Sequence, residues 1–264
     1  MSKKIQKKDF DLHWDEKAKF WCDQIREGKD IFRDLLSLPA FLKFIGNIKN
    51  KIVLDVGCGE GYNTRKIAQK GALITGVDIS PQMIKFAKEE EKKNPLGITY
   101  CQGSWDNLSF FKKNSFDVVL STLALMDGPG YEKALVEFHR VLRPNADLYF
   151  SILHPCFITP NYSSIKNKKG IMTHRVVNNY FKEGPWLFTW KLSKKTDKSD
   201  ALDFTSMSYH RTLSTYINTL IKKGFVLKEI EEPRASLEAC KKNPRLKGSR
   251  NVVTPFLFIH AKKI

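Results

Sequence analysis

The stretch Val53-Leu54-Asp55-Val56-Gly57-Cys58-Gly59-Glu60-Gly61 carries the densest chemical signal in this chain, an apolar run entering a glycine-rich turn. A second apolar run, Leu73 to Val77, ends in an acid, Asp78. Glycines in such a turn let a ligand approach the backbone that side chains would otherwise shield. An acid closing the adjacent strand lies within reach of a ribose, because neighbouring parallel strands run about 4.8 Å apart. The pattern therefore points to a nucleotide-type ligand.

Charge and spacing narrow the ligand further. A dinucleotide fingerprint, G-x-G-x-x-G, assigns its third glycine to the position of Tyr62, whereas here that glycine arrives one residue early, at Gly61. A pyrophosphate at the following helix N-terminus would also be repelled by Asp55 and Glu60 on the turn. Such a turn suits a cation. A ligand with adenosine, no phosphate, a sulfonium and an ammonium satisfies both constraints, and S-adenosylmethionine is that ligand.

The periodicity of the remaining chain says which elements position these residues. Residues 11 to 46 read as helical: Ala18, Trp21, Cys22 and Ile25 recur at helical spacing, and Pro39 and Gly46 bracket a short apolar turn. We read residues 1–46 as an N-terminal helical lid. Strands are expected at Ile52–Val56, Leu73–Val77, Ile98–Cys101, Phe116–Leu120, Asp147–Leu153, Phe225–Ile230 and Phe256–Ala261. Helices fall between them: one opened by Ser80-Pro81, one over Tyr131 to Leu142, and one on Leu213, Tyr216, Ile217, Leu220 and Ile221, ended by Gly224. This alternation implies an α/β fold, a Rossmann-like open, mostly parallel seven-stranded sheet with helices on both faces. Residues 47–153 and 209–264 form its core. Residues 154–208 show no clear period and are read as an insertion capping the substrate side.

VLDVGCGEG followed by TGVDIS resembles the first two motifs of class I S-adenosylmethionine-dependent methyltransferases. Cys101-Gln102-Gly103-Ser104, Phe116-Asp117-Val118-Val119 and Glu137-Phe138-His139-Arg140-Val141-Leu142-Arg143-Pro144 agree with the later motifs. Phe138 to Pro144 and Ser151-Ile152-Leu153-His154-Pro155 are similar to small-molecule members of the ubiquinone-biosynthesis type. The resemblance implies that Asp55, Gly57 and Gly59 hold the methionine portion of the cofactor. It places Asp78 on the ribose, Ile79 against the adenine, Gly103 and Ser104 at the adenine edge and Trp105 packed near it, with Cys58 and Met83 also among the cofactor-binding residues. Ser121, Thr122 and Leu123, with Met126 nearby, would lie beside the sulfonium. Many members carry an acid where Ser104 stands, which leaves Asp106 as the neighbouring carboxylate able to replace it.

Methyl transfer from a sulfonium is an in-line displacement, asking the protein to align a nucleophile and exclude water, with S-adenosylhomocysteine as product. No metal is required by that scheme. A weak nucleophile would want a base, and His154, just past the fifth strand, and His210, before a helix, are the candidates. The bland alternative is that both cap element ends, and His139 reads as structural. Cys156 reads as a core thiol, because the Pro-Cys signature of cysteine-using RNA enzymes is replaced by Ser121-Thr122-Leu123, and no Asn/Asp-Pro-Pro-Tyr pattern marks amino-nitrogen methylation. Trp14, Trp21, Tyr180, Phe181, Trp186, Phe188 and Trp190 are candidate walls of an apolar acceptor pocket.

Composition bounds the partners. With 45 Lys and Arg against 28 Asp and Glu the net charge is +17, which excludes an acidic solvating protein and leaves nucleic acid open. The excess is mostly Lys in scattered or mixed runs, whereas phosphate readers favour the Arg fork, so solvated faces are the preferred reading. Five Cys without a C-x-x-C pair suggest no disulfide framework or zinc site. The polar start Met1-Ser2-Lys3-Lys4 and the absence of a long apolar run suggest a cytoplasmic protein with no membrane span. The expected activity is methylation of an oxygen or nitrogen of a small organic molecule. The alternatives are an RNA methyltransferase using the insertion's Lys166, Lys168, Lys169, Lys191, Lys194 and Lys195, or a catalytically silent nucleotide-binding regulator. Oligomeric state is not readable from these patterns.

Overall fold

The computed structural model describes residues 7–193 and 201–264; Lys194, Lys195 and the Met1–Lys4 start lie outside the described residues. Its centre is a seven-stranded sheet. In chain order the strands are β1 (Ile52–Val56), β2 (Leu73–Asp78), β3 (Thr99–Gln102), β4 (Phe116–Thr122), β5 (Leu142–Leu153), β10 (Phe225–Glu231) and β11 (Phe256–Lys263). Across the sheet the order is β10-β11-β5-β4-β1-β2-β3, with β11 antiparallel to both of its neighbours. β1 to β5 are mutually parallel, so the chain reverses its direction of sheet growth between β1 and β4. Loops leaving the carboxyl ends of β1 and β4 diverge there, opening the crevice in which such sheets hold ligands.

The expected strands appear, and their burial explains them. Val53, Leu54, Val119, Leu120 and Ile152 are fully buried because helices cover both sheet faces. β5 begins earlier than the apolar pattern suggested, with Asn145 at φ +60° taking up an irregularity that lets the polar Arg143-Pro144 segment join the strand. α3 (Tyr62–Ala68), α4 (Pro81–Lys93) and α5 (Tyr131–Val141) connect the parallel strands, and α6 (Leu213–Lys222) precedes β10. Ser80 caps α4 by accepting from Met83 N–H at 3.1 Å, and Thr212 caps α6 by accepting from Thr215 N–H at 3.2 Å. Gly224, at φ +84°, ends α6 in the left-handed conformation that glycine adopts without penalty.

Two regions depart from the expectation. The segment read as aperiodic contains two antiparallel hairpins, β6 (Ser163–Lys166) with β7 (Met172–Val176), and β8 (Gly184–Leu192) with β9 (Leu202–His210). Alternation was present at Phe188-x-Trp190-x-Leu192 and at Phe204-x-Ser206-x-Ser208-x-His210, all buried, but serines on the inward face masked it as polar. β9 thus extends through His210 into the helix cap. Short helices α7 (Leu237–Lys242) and α8 (Lys247–Asn251), also unforeseen, fill the connection from β10 to β11.

The N-terminal segment is α1 (Lys7–Arg26), then a π-helical turn (Arg33–Ser37) running into α2 (Leu38–Phe44). α1 buries Ala18, Cys22 and Ile25, spaced one stripe apart, and rests on α4, where Cys22 Sγ meets Met83 Sδ at 3.9 Å. No helix among the described residues is long and apolar enough to cross a membrane.

Candidate functional site

The β1–α3 turn is held by its own backbone. Gly57 and Cys58 N–H donate to the Val77 carbonyl at 2.7 and 3.0 Å, and Gly61 N–H donates to the Cys58 carbonyl at 3.1 Å. Gly59 N–H donates to Asp78 Oδ2 at 2.9 Å. Three of the turn's amides are therefore directed at backbone carbonyls and a fourth at Asp78. Gly57, at φ +76°, lies so close to the loop after β4 that an added Cβ would sit 2.3 Å from Ala124 Cβ. Around Gly59 that space is open, so the backbone is accessible to a ligand.

Asp55 lies beneath this turn, fully buried, with Thr64 Oγ1 donating to its Oδ2 at 2.6 Å and Oδ1 lacking a partner. Burial lifts its carboxyl to about 7. A carboxyl raised on folding leaves the native state holding more protons than the unfolded chain, so stability falls as pH rises from the ordinary carboxylate value, about 4, to about 7. Asp55→Asn is expected to flatten that slope, read as melting temperature against pH in the cofactor-free protein. An unchanged slope would show that Asp55 is not the group responsible.

A cleft of about 1020 Å³, counting its mouth, opens above the turn. Of the residues assigned from the motifs, Gly57, Cys58 and Gly59 form its floor. Asp78, Ile79 and Met83 line one wall, Gly103, Ser104 and Trp105 a second, and Thr122 and Leu123 a third. Asp55 and Ser121 do not line it; Ser121 is buried under the strand ends with its hydroxyl donating to the Val56 carbonyl at 2.8 Å. Successive strand side chains point to opposite faces, so Thr122 reaches the cleft where Ser121 cannot. Asp106 also stays off the lining and accepts from Ser104 Oγ at 2.5 Å, while Met126 faces the other side of its loop. Leu123 holds φ +52°, a strained conformation fixed by its N–H donating to the Ser151 carbonyl at 2.9 Å.

Several lining residues had no motif to announce them. Asn63, in the first turn of α3, donates to Thr122 Oγ1 at 3.1 Å and keeps a buried Oδ1 without a partner. Asp127 sits in the turn after β4 and accepts a hydrogen bond from the Trp14 side chain. Asp30 and Arg33 enter from the segment after α1. Among the described residues the lining thus carries Asp30, Glu60, Asp78 and Asp127 against one cation, Arg33, whose guanidinium is engaged by Asp34 and stacked on Tyr62 at 3.9 Å. Burial holds all four carboxyls above their usual range. Desolvated carboxylates and an orphaned acceptor oxygen are what a ligand bringing an ammonium and a sulfonium would satisfy. The residues present fit S-adenosylmethionine on that ground.

The roof is aromatic. Trp14 and Trp21 of α1 face the cleft together with Trp190 of β8. Trp21 lies 4.9 Å from Phe204 of β9 and 5.8 Å from Trp190, and Trp14 lies 5.4 Å from Phe204, so lid and hairpin are joined by one ring cluster. Asp15 fixes α1 to the wall carrying Asp78, accepting from Ser80 Oγ at 2.6 Å and from Gln82 N–H at 3.0 Å.

Neither candidate base reaches this cleft. His154 Nδ1 accepts from Cys156 N–H at 3.2 Å, which leaves the proton on Nε2, 2.6 Å from Glu232 Oε1. Both ring nitrogens are spent on pinning a strand end to the β10–β11 connection. His210 donates from Nε2 to the Tyr180 carbonyl at 2.7 Å, and Tyr180 and Phe181 lie with it away from the cleft. Neither residue therefore presents a ring nitrogen to the cleft as a base.

Residues 54–150 match the family described as Methyltransferase domain. An uncharacterized protein of Haemophilus influenzae is 26% identical over 248 residues, spanning 91% of this chain and 92% of that protein. A ubiquinone biosynthesis O-methyltransferase of Coxiella burnetii is 32% identical over 125 residues, 45% of this chain and 52% of that enzyme, so the chain spans about half the length of this relative. A solved S-adenosylmethionine-dependent methyltransferase from Mesorhizobium loti superposes with TM-score 0.68 at 27% identity, covering 85% of this chain and 96% of that one.

Proposed function

We propose, from the premise that the chain is a class I S-adenosylmethionine-dependent methyltransferase, that its acceptor is a small organic molecule methylated on oxygen or nitrogen. The observation that carries this reading is the roof: Trp14, Trp21 and Trp190 close over the cleft and are locked to one another, leaving an aromatic enclosure instead of an open basic trough. Of the insertion lysines on which the RNA alternative rests, Lys166, Lys169 and Lys191 line a neighbouring chamber walled by Phe32, Ile158, Phe188 and Trp190, and no comparable observation favours a silent regulator.

When bound, the cofactor supplies a methyl group on a sulfonium for in-line displacement by the acceptor. Asp78 would hold the ribose hydroxyls through the lone pairs left free by its bonds to Gly59 and Ser80 N–H. Ile79, Met83 and Trp105 would flank the adenine. Asn63 and the buried carboxylates Glu60 and Asp127 would favour the cationic portion, and Thr122 and Leu123 would border the transferred group. The aromatic roof excludes water, so the displacement proceeds in a low-dielectric site where hydrolysis does not compete. The test is release of S-adenosylhomocysteine when the protein is incubated with S-adenosylmethionine and a fractionated metabolite extract. Release only with an RNA fraction would overturn the small-molecule reading.

His154→Ala is expected to lower stability by about 1 to 3 kcal/mol, since it leaves Cys156 N–H without its acceptor and opens a buried space. The methyl-transfer rate of the folded fraction should be unchanged across pH 6 to 9. A loss of an ionisation from the pH–rate profile would restore the histidine as a base.

A further inference from the structure

A second cavity adjoins the cleft and shares two wall residues with it, Asp30 and Trp190. It encloses about 1570 Å³, counting its mouth, between the β6–β7 hairpin, β8 and the α8 segment. Its charge is opposite to that of the cleft. Among the described residues Asp30 is its one acidic lining group, set against Lys166, Lys169, Arg175, Lys191 and Arg245. Lys191 is paired with Asp203, so the inward cationic character does not rest on it.

Arg175 is the best-defined of these groups. It lies on β7 opposite Ser164, half-buried, with its guanidinium over the Tyr162 ring at 4.7 Å. Its Nε is buried without a hydrogen-bond partner, and no carboxylate among the described residues pairs with it. Burial disfavours its charge, and Tyr162 compensates only in part. Apolar walls stand beside it: Phe32, Ile158, Phe188 and Trp190. The hairpin is seated firmly, since Gly248 of α8 packs so close to Met172 that a Cβ there would come within 2.8 Å of it.

We propose that this chamber is the acceptor site, and that the acceptor is an apolar or aromatic molecule carrying an anionic group, anchored by Arg175, with its nucleophilic end at the Asp30–Trp190 partition. The inference rests on the methyltransferase reading and adds the substrate class. Charge orients the molecule: Asp30 and the acidic cleft repel the anionic end, while Arg175 draws it to the far side. In the transfer, the acceptor's lone pair forms the new bond to the methyl carbon, the S–C pair returns to sulfur, and any displaced proton leaves with solvent.

The test uses a matched pair of probes on protein saturated with S-adenosylhomocysteine: the anion 1-anilinonaphthalene-8-sulfonate and its neutral counterpart N-phenyl-1-naphthylamine, each titrated by fluorescence. The anion is expected to bind at least tenfold more tightly. Arg175→Gln should abolish that preference while leaving the neutral probe unaffected, Arg175→Lys should retain most of it, and Lys169→Gln, at an exposed position, should reduce it severalfold without risk to folding. Equal binding of the two probes, or a preference that survives both Arg175→Gln and Lys169→Gln, would overturn the proposal. Calorimetric titration with S-adenosylhomocysteine separates the two levels: absence of that binding defeats the methyltransferase reading, whereas normal binding with no anion preference defeats only the assignment of substrate class.

Discussion

Gly57→Ala is expected to destabilise the protein by about 2 to 5 kcal/mol and to remove measurable cofactor binding. Two costs combine. A left-handed backbone at φ +76° costs a residue bearing a Cβ about 1 to 2 kcal/mol. Overpacking adds about 1 to 3 kcal/mol, because the new methyl would lie 2.3 Å from Ala124 Cβ, a rigid neighbour that cannot swing aside. Relief by moving the β4 loop would displace Leu123 and Thr122 and pull the turn from its bonds to Val77. Chemical unfolding and calorimetric titration with S-adenosylhomocysteine read the two effects. The double variant Gly57→Ala/Ala124→Gly should recover the packing share and not the conformational one. A single variant within about 0.5 kcal/mol of the parent would mean that this close approach is not present in solution.

The second large effect is expected at Asp78, whose carboxylate joins two parts of the site. Oδ2 receives Gly59 N–H and Oδ1 receives Ser80 N–H, which sets the glycine turn relative to the start of α4. Asp78→Ala removes the proposed ribose acceptor and loosens both amides. A charge-assisted hydrogen bond contributes about 1.5 to 3 kcal/mol, equivalent to a roughly 10- to 150-fold rise in the dissociation constant for S-adenosylhomocysteine. Stability should fall less than affinity, because the variant also removes a carboxylate whose burial opposes its charge. An unchanged dissociation constant would take Asp78 out of the site.

Most of the cleft floor was legible because it is local. Gly57, Gly59 and Asp78 are tied to the turn by strand periodicity and by the conformational demand on glycine, and both can be read within a few dozen residues of sequence. Asp55 shows where local reading stops. Its place in the motif implied contact with the ligand, yet the strand end turns it under the floor, where Thr64 engages it and the cleft does not. His154 and His210 show the same limit. A histidine after a strand has the right chemistry for a base, but whether its nitrogens are free depends on Glu232 and Tyr180, partners 78 and 30 residues away.

The sequence by itself determined the sheet, the glycine turn and a cationic adenosyl ligand, since those follow from periodicity, backbone conformation and fixed charge near one another in the chain. Only the tertiary structure decided which groups line the two cavities. Asp30, Asn63, Asp127 and Trp190 of the cleft and Arg175 of the second chamber come from separate elements, and α1 meets the β8–β9 hairpin across more than 160 residues through the Trp14–Trp21–Phe204 cluster. Side-chain burial and charge environment depend on such long-range packing, whose free energy is shared among contacts that no local spacing records.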